Sequence, residues 1–166
     1  MVRTNKKSLL IKKHYMNDDI DILEKKIKVF NNLYNKYKKM NFVDETELKE
    51  IVCDILGWFE ICLKNTYNLN KIERKKISGI RHANNVKKHS KPIFEYTLQT
   101  YALFPSDDLF PSESLFPSDF NIFWISLPLD DPKFTYQFDC YKLYFEGKDL
   151  YTTINEVFNI IKNHFK

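Results

Sequence analysis

The chain has 166 residues, 43% of them hydrophobic and 16% aromatic, with a formal charge of +4. This composition excludes a disordered polyelectrolyte, and the length suits a single domain, 1–166, with a sizeable core. No apolar run approaches the roughly 18 residues of a membrane span, and the apolar stretch Leu9-Leu10-Ile11 is too short for a signal-peptide core. The expectation is a cytoplasmic protein. Cys53, Cys62 and Cys140 are odd in number and lack metal-ligand spacing, so they read as reduced, mostly buried thiols.

The Lys, Asn, Ile and Tyr bias is that of an AT-rich genome, in which Lys is the default surface cation. The charge is unevenly spread: residues 1–91 carry a balance of +10 and residues 92–166 one of −6. Between 64 and 91 lie nine basic residues and one acid, Glu73. Such a stretch is either a solvated lysine face or an attractor of polyanions.

In chain order, residues 1–16 read as a basic arm or a short helix. A long helix is expected over about 18–40. Its seam, Ile20, Leu23, Ile27, Phe30, Tyr34 and Tyr37, has heptad-like spacing. It suits packing within a bundle or a homodimer. Asp44-Glu-Thr-Glu47 has the capping-box pattern and opens a second helix carrying Leu48, Ile51, Val52, Ile55, Phe59 and Cys62 on one side. Tyr67-Asn-Leu-Asn is a turn. A third helix follows and ends before Pro92. Gly79 lies inside it and marks either a close neighbouring backbone or a bend.

Beyond residue 92 the pattern changes to strands up to about residue 148. Ile93–Tyr101, Ile122–Leu127 and Phe134–Phe145 read as strands, the last from the alternation Phe134, Tyr136, Phe138, Cys140. Asp130-Asp131 before Pro132 is a turn. Within 103–120, Leu-Phe-Pro-Ser recurs at Leu103, Leu109 and Leu115 with acidic spacers. The repeat is either a duplication in a tolerant loop or a recognition arm. Glu146-Gly-Lys-Asp149 turns into a terminal helix, 149–166, with the stripe Leu150, Ile154, Val157, Phe158, Ile161 and Phe165. The fold class is therefore α+β: a bundle of three to four helices with a small antiparallel sheet inserted before the C-terminal helix.

One constellation carries chemistry. Arg81, Asn85 and His89 stand at i, i+4 and i+8 on the third helix, sharing a polar stripe. The chain has three Arg against 23 Lys, and an always-charged planar fork suits phosphate or carboxylate. His89 could exchange protons near neutral pH. The same stripe could equally knit the helix to the strand layer by hydrogen bonds. Lys75, Lys76, Lys87 and Lys88 flank it as candidate backbone contacts to RNA. His14 and His164, near the chain ends, are expected in solvent.

The Arg81–His89 run resembles the HEPN superfamily, whose members carry on a late helix an Arg, a polar follower, and a His after four to six positions. Here seven residues intervene. The resemblance covers the helical part, about 18–91 plus the terminal helix. It implies a usually dimeric, metal-independent ribonuclease of toxin or antiviral-defence type that needs no cofactor. Arg81 would hold the phosphate, His82 would be the polar follower, and His89 would transfer the proton. The leading expectation is a HEPN-like RNA-binding or RNA-cleaving protein. The rival is a non-catalytic phage or mobile-element inhibitor of a host nuclease or defence factor, using the acidic repeat arm.

Overall fold

The structure, a computed structural model, describes residues 4–40, 42–64, 66, 68–100 and 118–165, and among these the side chains of residues 4–17, 99, 100 and 118 are left aside. Among the described residues the fold has five α-helices and one two-stranded antiparallel sheet. In chain order they are α1 (Thr4–Tyr37), α2 (Glu45–Leu63), α3 (Lys71–Lys88), β1 (Phe94–Thr100), β2 (Ser118–Trp124), α4 (Thr135–Tyr144) and α5 (Leu150–His164). The α+β class holds, with the sheet inserted between α3 and α4. No described helix is long and apolar enough to cross a membrane. The repeat segment from Leu103 to Pro117 lies outside the described residues.

Helix α1 begins at Thr4, so the helix expected from residue 18 continues through most of the stretch read as an arm. Its seam is spent inside the chain. Leu23, Ile27, Phe30, Tyr34 and Tyr37 are all buried, and Ile20 packs against the same core. Tyr34 stacks on Tyr151 of α5 at 4.1 Å between ring centroids, and Tyr37 meets Phe120 of β2 edge-on. The seam therefore packs within the chain.

Asp44 caps α2 by accepting from the Glu47 backbone N–H at 3.0 Å. The Glu47 carboxylate instead accepts the Tyr37 hydroxyl at 3.0 Å, tying the end of α1 to the start of α2. The reciprocal box forms one helix later. Asn70 accepts from Ile72 and Glu73, while the Glu73 carboxylate takes the Asn70 backbone N–H at 2.8 Å. His164 Nε2 also meets Glu73 at 3.1 Å and is only about a quarter exposed, so this histidine is docked against α3 rather than solvated.

Strand β2 alternates buried Phe120, Ile122 and Trp124. It pairs with β1 in the register Phe94↔Trp124 to Thr100↔Ser118. The strand starts and stops earlier than its apolar run suggested: its ladder with β1 runs from Ser118 to Trp124, and beyond it the Ile125 N–H donates to the Ile93 carbonyl at 3.3 Å. The α4–α5 turn covers the other side of Trp124. Gly147, at φ +67°, donates to the Trp124 carbonyl, and Trp124 N–H donates to Lys148. The indole N–H is satisfied by Thr153 Oγ at 2.6 Å.

The segment expected as a third strand, Phe134–Phe145, is a helix preceded by a short 3-10 turn, Pro132–Phe134. Period-two and helical spacing coincide there. Phe134, Phe138, Tyr141 and Phe145 follow 4,3,4 spacing, and burial goes to Cys140, Tyr141 and Phe145 while Tyr136 is 59% exposed. Packing against α3 overrides the strand propensity of the aromatics. A start signal was present: Asp131 accepts from the Lys133 backbone N–H and Pro132 opens the turn.

Gly79 is what allows that packing. A Cβ there would lie 2.6 Å from the Phe145 ring and 3.1 Å from the Cys140 carbonyl oxygen. Close approach of α4 is thus the reason for the glycine.

Candidate functional site

Helix α3 runs antiparallel to α4, with Gln137 opposite Asn85 and Phe145 opposite Gly79. The spread of Arg81, Asn85 and His89 over about 80° of helix sends them to different neighbours. Arg81 leans to α2, where its Nε stands 3.7 Å from Glu60 Oε2. That is an ion pair but too long for a hydrogen bond. The Nε atom is shielded from solvent and has no hydrogen-bond partner. Asn85 leans to α4 and donates from Nδ2 to Gln137 Oε1 at 3.2 Å. His89, the C-cap residue of α3, is exposed.

Asn85 and His89 share a cleft of about 370 Å³ between the end of α3 and the segment that follows β2. Arg81 does not line it. The opposite wall is Pro128, Asp130, Asp131, Lys133 and Phe134. Both carboxylates carry a lysine: Lys91 Nζ reaches both Asp130 oxygens at 2.8 and 2.9 Å, and Lys133 Nζ lies 2.7 Å from Asp131. Asp131 is held below the usual carboxylate range by its hydrogen bonds from Lys133.

His82 forms the floor of the cleft and is 3% exposed. Its Nε2 lies 3.1 Å from the Pro128 carbonyl oxygen, which can only accept, so Nε2 carries the proton. The ring packs against Phe138 and Tyr141. Burial pulls its pKa down from the ordinary 6.5 and keeps it neutral. His82 is therefore a structural clamp between α3 and the β2–α4 connection.

The four lysines divide. Lys76 pairs with Glu156 of α5 at 2.8 Å, and Lys87 donates to the Cys53 carbonyl of α2 at 2.9 Å. Both link α3 to its neighbours. Lys75 is half-buried and Lys88 exposed. Arg74 was missed by the sequence reading. It stands seven residues before Arg81, as Lys88 stands seven after, and seven residues bring a helical position back to within about 20°. Arg74, Arg81 and Lys88 thus share one cationic line along α3, with Arg74 and Lys88 exposed and Arg81 half-buried against α2. Arg74 Nε donates to the Leu69 carbonyl at 2.8 Å, which orients its fork.

Among the described residues, no group of three or more His, Cys, Asp or Glu is arranged to hold a metal ion. The cysteines are unpaired by disulfides, and burial pushes the Cys62 thiol up to about 12. No family model, curated protein or solved structure matches the chain.

Proposed function

We propose that this protein binds RNA through the phosphate backbone, along the cationic line Arg74–Arg81–Lys88 of α3. The observation that carries the reading is the line itself: Arg74 and Lys88 are exposed at seven-residue steps on either side of Arg81, whose side chain is 36% exposed although its Nε is turned inward toward Glu60. A planar guanidinium with part of its surface in solvent, flanked by two exposed cations, is suited to phosphate oxygens. The basic excess of residues 64–91 supplies the long-range attraction. Lys76 and Lys87 fall out of the contact set, because both are committed to neighbouring helices.

The HEPN resemblance extends this reading to metal-independent cleavage, with Arg81 on the phosphate, Asn85 orienting groups, and His89 exchanging a proton with a ribose 2′-hydroxyl. Arg81 and His89 stand about 12 Å apart along the helix and lean to different walls, so geometry favours binding over cleavage. The inhibitor reading rests on the repeat arm, which lies outside the described residues.

The test is fluorescence anisotropy of purified protein with a mixed single-stranded RNA pool over a salt series. Binding should weaken with a slope of about 0.7 per contacted phosphate. Arg81→Lys keeps the charge but loses the fork, and should weaken binding while preserving the melting temperature. Absence of salt-sensitive binding sinks the proposal. Cleavage that survives chelator and disappears in His89→Ala would extend it to a ribonuclease.

A further inference from the structure

We infer that the cleft between α3 and the β2–α4 connection receives an unstacked guanine base of a bound single-stranded RNA. The inference rests on the RNA-binding reading and names what its neighbouring site selects. The cationic line ends at Lys88, next in the chain to His89 of the cleft lining, so a strand whose phosphates follow the line reaches the cleft at that end.

The cleft is built for a flat polar ring. Its floor is preformed, because the Pro128 carbonyl and the Phe138 and Tyr141 rings fix His82. Phe134, half-buried in the wall, carries the Lys133 ammonium over its ring at 4.9 Å from the centroid, and a base stacks on this ring in place of that contact. The hydrogen-bonding groups facing it are the acceptors of Asp130, Asp131 and Asn85, together with Lys133 and His89, which can donate to a base carbonyl such as guanine O6. Asp130 and Asp131 are carboxylates. Asn85 spends one amide proton on Gln137, leaving its carbonyl oxygen to accept.

These acceptors select the base with adjacent donors. Guanine offers N1–H beside the N2 amine, a pair that one carboxylate can accept together. Adenine and cytosine present a single amine beside an acceptor, and uracil presents one N–H between two carbonyls. Two carboxylates would ordinarily repel a polyanion. Here Lys91 neutralises Asp130 and Lys133 neutralises Asp131, and each carboxylate keeps lone pairs for a base. The ammonium groups make the acidic wall compatible with RNA.

The experiment compares anisotropy titrations of the full chain with a short oligouridine and the same oligomer carrying one central guanine or one central inosine, at a single salt concentration. The guanine oligomer should bind about tenfold more tightly than oligouridine, the discrimination expected of one bidentate base contact. Inosine, which lacks the N2 amine, should recover only part of that gain. The double variant Asp130→Asn, Asp131→Asn keeps the turn cap, since Asn also caps, and should flatten the guanine-to-uridine ratio. Equal affinity of the wild type for all three oligomers would overturn the base pocket and leave backbone binding standing. Failure to bind any of them would overturn both.

Discussion

Arg81 Nε and Glu60 Oε2 face each other at 3.7 Å across the α2–α3 seam, close enough to attract and too far to bond. The side chains are 36% and 33% exposed, so water screens the pair and its contribution to stability is under about 1 kcal/mol. On the proposed RNA-binding reading, Glu60 competes with a phosphate for the Arg81 guanidinium. Glu60→Gln removes the competing charge and should tighten RNA binding about two- to fivefold, leaving the melting temperature within a degree or two. Unchanged affinity would place Arg81 outside the contact surface.

Gly79 makes a prediction of opposite sign to helix propensity. Alanine inside a helix is ordinarily favoured by about 1 kcal/mol over glycine. Here the new methyl would press into Phe145, which is 1% exposed, and the Cys140 carbonyl, which belongs to a packed helix. Overpacking of this kind costs about 1–3 kcal/mol. Gly79→Ala should therefore lower the melting temperature, and a variant more stable than wild type would refute the close approach of α4.

The neutral His82 gives a pH dependence. Its folded pKa lies below the ordinary 6.5, so between that value and the folded pKa the unfolded chain binds the proton first. The His82 contribution is complete above about pH 6.5 and is lost as the pH falls through the folded pKa. Glu73, whose pKa is lowered by its bond from the Asn70 N–H and by His164, acts in the same direction but below its ordinary 4.5. His82→Phe keeps a ring against Phe138 and Tyr141 and cannot take the proton. Thermal melts from pH 8 to pH 5 should fall more steeply for the wild type than for the variant. Parallel curves would mean that His82 does not titrate with unfolding.

The helices were legible in the sequence because one-sided burial needs helical spacing, and the stripes of α2 and α5 carry it plainly. The strands β1 and β2 were legible from alternation, with β2 displaced toward its N-terminus. Helix α4 was misread, because Phe134 and Phe138 satisfy both periods, and the Asp131–Pro132 start signal and the Gly79 gap on α3 decide for the helix. The site was partly legible. Helical spacing places Arg81, Asn85 and His89 on one stripe. Their partners, Glu60 and Gln137, lie 21 and 52 positions away, and nothing local announces them. Arg74 could have been found, since the seven-residue step to Arg81 is visible in the chain. His82, read as a polar follower, is the buried member of the group. Its clamp on Pro128 depends on where a loop returns.

The α1 seam is the last testable point, because its spacing fitted either a bundle or a homodimer. Phe30 is 0% exposed within one chain, and its ring lies 6.0 Å from that of Tyr151 on α5. Removing a phenyl ring from such a site typically costs about 3–5 kcal/mol, through lost burial and the cavity left behind. If the seam is internal, Phe30→Ala lowers the melting temperature by the same amount at every protein concentration. If it also holds two copies together, dissociation couples to unfolding and the midpoint rises with concentration. Melts of wild type and variant over a hundredfold range of concentration separate the two. Concentration-independent midpoints are expected, and a rising midpoint that Phe30→Ala abolishes would return the seam to an interface between subunits.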